Sequence, residues 1–142
     1  MPIVVECLHL ATYQDQEDLQ KIYRDAPEWL FTPLSDGQAL IEAGLTDGTL
    51  IAARFNDRLL GAARLQPGPD FWELSQLCVR RLTRRRGVAE RLLIEAQKSA
   101  RAAGCELRLL TTVGPLEVQA LAAKLHLPLE VVQTEKLGGR VV

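Results

Sequence analysis

Seven residues, Thr83-Arg84-Arg85-Arg86-Gly87-Val88-Ala89, form the stretch best equipped for chemistry. They follow a strand-like run, Phe71 to Val79, and open a helix-like run, Val88 to Ala103. Five of the seven residues from Arg80 to Arg86 are arginine. A helix N-terminus already carries partial positive charge, so each arginine beside it costs about 0.3–1 kcal/mol unless something neutralises it. A bound anion removes the conflict. Helix-start N–H groups, a glycine that admits close approach and guanidinium donors together make a phosphate site. Successive N–H groups from Arg85 to Ala89 would form a concave donor set, and the small Ala89 side chain leaves room for the phosphates. No Gly-Lys-Ser/Thr follows, which excludes a Walker-type loop. A solvated basic turn or a nucleic-acid patch would use the same residues.

Whole-chain properties narrow these options. The net charge is −1, so the arginines make a local field and not a general attraction for polyanions. A length of 142 residues, with 47% apolar and 25% charged residues, suits a single domain over 1–142 with one core. Cys7, Cys78 and Cys105 are odd in number and widely spaced, without a C-x-x-C, and there are two histidines. Neither a disulfide framework nor a metal site is expected, and all three cysteines read as small buried residues in a reducing, cytoplasmic setting. The first ten residues lack a secretory pattern, and no window approaches a membrane span.

The elements that must position the arginine loop can be read from periodicity and breakers. Ile3 to Leu10 predicts a strand. Asp15 is placed to cap a helix with Leu19, Ile22, Tyr23 and Ala26 on one face, ending at Pro27. Ser35 is placed to cap a second helix that ends at Gly44. Thr49 to Phe55 and Arg58 to Gln66 read as a hairpin around Asn56-Asp57. Phe71 to Val79 is the strand before the loop. The helix after it has Val88, Leu92, Leu93, Ala96, Ala100 and Ala103 inward, an Arg91–Glu95 pair outward and Gly104 as its C-terminal cap. Glu106 to Thr112 reads as a buried strand, Gly114-Pro115 opens a further helix, and Leu129 to Thr134 is a last strand. The order β-α-α-β-β-β-α-β-α-β predicts an α/β mixed sheet with helices on both faces.

Arg84-x-x-Gly87-x-Ala89 between strand and helix, within this element order, resembles the pyrophosphate-binding pattern of the GNAT acetyltransferase superfamily. Three runs are more specific: Asp18 to Ile22, Ala52 to Leu60, and Val79-Arg80 with Thr83 to Val88. They resemble the PanZ (PanM) family of acetyl-CoA sensors, which bind the aspartate 1-decarboxylase proenzyme and promote its self-cleavage. The resemblance is firmest from Ile51 to Leu93. The segment from Pro27 to Gly48 looks longer than the family norm, and the chain matches only in outline from Gly104 onward. It implies that the strand before the loop diverges from the next, and that a pantetheine arm lies in the gap along Leu77, Cys78 and Val79. It further implies that Thr83, Arg84, Arg85, Arg86, Gly87, Val88, Ala89 and Glu90 contact acetyl-CoA. By the same resemblance, Arg54 and Asn56 face the decarboxylase; plain turn chemistry would also account for both.

The alternative is an active N-acetyltransferase. Such enzymes need a base for the amine and often a tyrosine for the leaving thiolate. The two tyrosines here, Tyr13 and Tyr23, both lie near the N-terminus, and no tyrosine, serine or cysteine occurs from Val113 to Leu127. Losing a positioned acid costs about 10²–10⁴-fold in rate. Glu73 is the candidate base, on one strand face with Phe71, Ser75 and Leu77. An ordinary solvent-facing strand residue is the simpler reading of it. His126 reads as a cap or a solvent-facing residue, and Trp29 and Phe31 as core, lid or substrate-entrance aromatics.

Overall fold

Six strands pair in chain order in the computed structural model: β1 (Val4–Cys7), β2 (Leu50–Phe55), β3 (Arg58–Gln66), β4 (Phe71–Val79), β5 (Glu106–Thr112) and β6 (Leu129–Val132). Three helices are described: α1 (Tyr13–Arg24), α2 (Gly37–Asp47) and α3 (Val88–Ala102). The structure describes residues 3–24, 26, 34, 36–80, 87–112, 123 and 129–132. The arginine-bearing segment 81–86, Trp29, Phe31, His126 and most of the helix expected from Gly114 lie outside these residues. No helix among the described residues is long and apolar enough to cross a membrane, and no group of residues there could hold a metal ion.

β1 to β4 are antiparallel, and β4, β5 and β6 are parallel. α3 makes the crossover from β4 to β5, which a parallel pair requires. Alternate strand residues divide between two cores. Ile51, Ala53, Ala63 and Leu65 pack on α3 through Val88, Leu92, Leu93, Ala96 and Ala100. Leu50, Ala52, Leu59 and Ala62 pack on Leu19, Ile22 and Tyr23 of α1 and Leu40 and Ile41 of α2. The expected period-2 pattern and two-sided helix cover are therefore present. Leu92 and Leu93 are fully buried, each worth about 1.5–3 kcal/mol of transfer.

Several ends differ from the sequence expectation. Thr12, not Asp15, caps α1: its hydroxyl accepts from the Asp15 N–H at 3.0 Å, and its own N–H donates to Asp15 Oδ2 at 3.4 Å. Asp15 sits one turn in because its carboxylate is claimed by a distant arginine. Asp36 caps α2, accepting from Ala39 N–H at 2.9 Å. That helix runs past Gly44, which is buried against Leu50, and Gly48 ends it. β1 stops at Cys7; one further bond, Leu8 N–H to the Leu50 carbonyl, follows before Leu10 reaches solvent. Only Cys78 is buried, since Cys7 is on the sheet-edge strand and exposed and Cys105 is half-buried after α3. Ala103 is exposed, already past the last turn of α3, while Gly104 takes the left-handed cap as expected (φ +76°). Arg91 and Glu95 pair at 3.3 Å.

Candidate functional site

β4 and β5 pair only from Phe71–Glu106 to Leu74–Leu109. β5 itself runs on to Thr112, and on its other edge Leu109 to Thr112 pair with β6. The ladder between β4 and β5 thus ends while β4 has five residues left, Ser75 to Val79. A strand parting of this kind opens a gap along one edge of β4.

β4 is also distorted at the start of that gap. Its register against β3 jumps from Arg64–Ser75 to Ala62–Cys78, so β4 holds one residue too many. Gln76 absorbs it with φ +56°. This is a β-bulge, and it reverses the face of everything beyond. Leu74 and Val79, an odd number of positions apart, consequently pack on the same α3-side core. The same reversal corrects an expectation from plain alternation. Leu77 packs on the α3 side, whereas Glu73 has the opposite parity from Leu74 and points to the face of α1 and α2. Glu73 stands one residue before the pairing ends, in register with Gln66 and Arg108, and is half-buried.

α3 begins at the far end of the parted segment. Gly87 is its N-cap with φ +81° and ψ 8°, and the Gly87 carbonyl accepts from Arg91 N–H at 2.9 Å. α1 and α2 each have a side-chain cap at this position, but α3 has a glycine. Among the described residues, no atom lies within 4 Å of where a Gly87 Cβ would stand. Val88 is buried against β3, and Ala89 and Glu90 are half-buried in the first turn. The close approach depends on Gly61, where a Cβ would stand 2.9 Å from Val88 Cγ1 and 3.2 Å from Val79 Cγ2. The structure therefore brings Leu77, Cys78, Val79, Gly87, Val88, Ala89 and Glu90 to one end of the sheet. Thr83, Arg84, Arg85 and Arg86 lie outside the described residues. A cavity of about 310 Å³ between β1 and the later turns of α3, lined by Cys7, Trp72 and Ser99 among others, includes none of these residues.

Arg54 and Asn56 sit on the β2–β3 hairpin. Asn56 takes the positive φ of the turn, +55°. Arg54 donates from Nε and Nη2 to Glu6, from Nη1 and Nη2 to Asp15, and from Nη1 to the Asp57 carbonyl. Its five N–H donors all have acceptors within the chain, so this arginine shapes the hairpin more than it reaches outward. Below it, Arg58 donates from Nε and Nη2 to Asp18, which is fully buried and also accepts from Leu59 N–H and Gln14. The sequence carries a signal for this. Asp15 and Asp18 fall on the same helix face as Leu19 and Ile22, where an acid is tolerated only if paired.

These partners set the acid response. Hydrogen bonds from Arg54 hold Asp15 below its ordinary 3.8, against burial. Burial pushes Asp18 up, but Arg58, the Leu59 N–H and Gln14 together outweigh it and hold Asp18 below 3.8. Thr49, then Arg64, lowers Asp47. Each folded value lies below the unfolded one, so the stability they add is complete above the unfolded value and is lost as pH falls through the folded values. Urea midpoints followed by circular dichroism should begin to fall below about pH 4.

A family model described as "Acetyltransferase (GNAT) domain, PanZ" matches residues 2–127. The chain is 38% identical over 95 residues to a PanD regulatory factor of Salmonella typhimurium, covering 67% of this chain and 66% of that protein, just under two thirds of its length. It is 34% identical over 105 residues to a PanD regulatory factor of Escherichia coli, covering 74% of each. Among solved structures, the PaiA N-acetyltransferase of Thermoplasma acidophilum in complex with coenzyme A superimposes with a TM-score of 0.65 at 19% identity, covering 87% of this chain and 88% of that one.

Proposed function

Because the chain belongs to the PanZ family of GNAT acetyltransferase domains, we propose that it is an acetyl-CoA-binding regulator that engages the aspartate 1-decarboxylase proenzyme and promotes its self-cleavage. In this reading residues 1–142 act as one domain. The observation that carries it is the early end of the β4–β5 ladder beside a helix that starts on glycine. The residues present fit the cofactor. Val88, Ala89 and Glu90 offer first-turn N–H groups to the pyrophosphate, Gly87 admits its approach, and Thr83 to Arg86 supply side-chain donors. Leu77, Cys78 and Val79 line the gap for the pantetheine arm. The cofactor supplies negative charge and a strand-like arm; this chain supplies the donors and the gap. The hairpin of Arg54 and Asn56 meets the decarboxylase, with Arg54 holding its shape for Asn56.

The test mixes the protein with the proenzyme, with and without acetyl-CoA. Cleavage is expected to accelerate only when all three are present. Gly87→Glu places bulk and negative charge at the phosphate position, and should abolish both the acceleration and the thermal stabilisation by acetyl-CoA. A wild type that neither binds the proenzyme nor speeds its cleavage removes this reading.

A second reading, acetyl transfer to an amine, draws on Glu73, whose place one residue before the strands part suits a base. The tyrosines do not assist it: Tyr13 is exposed, and Tyr23 is buried with its hydroxyl donated to a backbone carbonyl. Amine-dependent thiol release that disappears in Glu73→Gln would support transfer.

A further inference from the structure

A hydroxyl from α1 reaches the distorted part of β4. Tyr23, in the last turn of α1 and 3% exposed, donates to the Gln76 carbonyl at 2.9 Å. Gln76 is a side-chain-bearing residue at φ +56° in mid-strand, a conformation that persists only when its surroundings over-determine it. The β3 register skips from Ser75 to Cys78, and the β5 pairing has already ended at Leu74. A second bond runs the other way, from the Cys78 thiol to the Ile22 carbonyl at 3.2 Å. The last turn of α1 is thus stitched to both sides of the bulge, against a buried apolar cluster where such bonds are strong.

The place of the bulge along the gap matters. Val88, at the start of α3, lies against Gly61, which pairs with Val79. Gln76 is three residues earlier, but the bulge takes up one of them, so it lies about 7 Å deeper along the strand. A cofactor with its phosphates at α3 and its arm running inward along β4 would carry its acyl end toward the bulge. Acetyl-CoA and free coenzyme A share every phosphate and the whole arm. Only groups at the arm's end can tell them apart.

We propose that Tyr23 is a positioning residue for acyl recognition: by holding the Gln76 carbonyl it fixes how the peptide groups of the bulge face the thioester, and so sets the preference for acetyl-CoA over free coenzyme A. This rests on the cofactor reading above. No atom of Tyr23 needs to touch the ligand. The hydroxyl acts through the backbone, which separates it from a core tyrosine that merely fills space.

Isothermal titration of wild type and Tyr23→Phe, each with acetyl-CoA and with coenzyme A, tests it. Phenylalanine keeps the ring and removes one hydroxyl. Coenzyme A affinity is expected to stay within about twofold, while acetyl-CoA binding weakens about tenfold, as for loss of one buried hydrogen bond. If both affinities change together, or neither changes, Tyr23 has only a packing role and the proposal fails. A wild type that binds neither ligand overturns the cofactor reading itself, a different result. Should Tyr23→Phe not fold, amide hydrogen exchange on wild type decides the same question. Gln76 to Cys78 should be protected more by acetyl-CoA than by coenzyme A, and equal protection overturns the proposal.

Discussion

Gly61→Val is expected to destabilise the protein by about 3 kcal/mol, the upper range for overpacking a core, and to abolish stabilisation by acetyl-CoA. The cause is steric. A Cβ at position 61 would stand 2.9 Å from Val88 Cγ1, 3.2 Å from Val79 Cγ2 and 3.3 Å from the Cys78 carbonyl oxygen. The first distance is shorter than real contacts of this kind. Val88 cannot swing aside, because a β-branched residue in a helix has essentially one rotamer. The start of α3 must retreat instead, and with it the N–H groups proposed to hold the pyrophosphate. Val79 and the Cys78 carbonyl block the other directions of escape. Gly61→Ala should show a smaller loss, about 1–2 kcal/mol. Urea midpoints and acetyl-CoA thermal shifts measure both effects. An alanine variant with wild-type stability and wild-type thermal shift would show that the contact yields freely.

Asp18→Ala should cost about 2 kcal/mol at neutral pH, because Arg58 is half in solvent and can turn to water, but the buried Leu59 N–H is left without an acceptor. The carboxylate is fully buried and takes bonds from Arg58, Gln14 and the Leu59 N–H. Alanine leaves the Leu59 amide facing a void, at the strand end that fixes the hairpin. The loss should shrink with acid, since wild type itself loses this contribution as pH falls through the lowered folded pKa of Asp18. Urea unfolding at pH 7 and at pH 3 reads this directly. A difference between wild type and variant that stays constant across that range would refute the ionic account of Asp18.

Much of the scaffold can be read from local chemistry. β3 and β4 have the bounds expected, Asn56 sits in the turn with positive φ, and Gly104 ends α3. In each case the deciding residue lies within the element or beside it. The bulge cannot be read this way. Nothing in Leu74-Ser75-Gln76-Leu77 marks an extra residue, and its support comes from a hydroxyl 53 positions away. Plain alternation therefore groups Leu77 with Glu73, and the bulge separates them. The cap of α1 escapes local reading for a related reason. Asp15 has the right type for a cap, but Arg54, 39 positions on, draws it into an ion pair. Arg54 shows the same effect from the other side. A matching run points it outward, while Glu6 and Asp15 occupy its donors. Gly61 gives no turn signal, because its task is an approach between distant elements.

α1 is fastened at both ends. Asp15 and Asp18 clasp the hairpin near its start, and Ile22 and Tyr23 are bonded to β4 near its finish. A helix of 12 residues is a stiff rod about 18 Å long. It acts as a second link, beside the β3–β4 ladder, between the place proposed for the acyl end and the one proposed for the protein partner. A tilt imposed at either end has nowhere to dissipate along the rod and must arrive at the other.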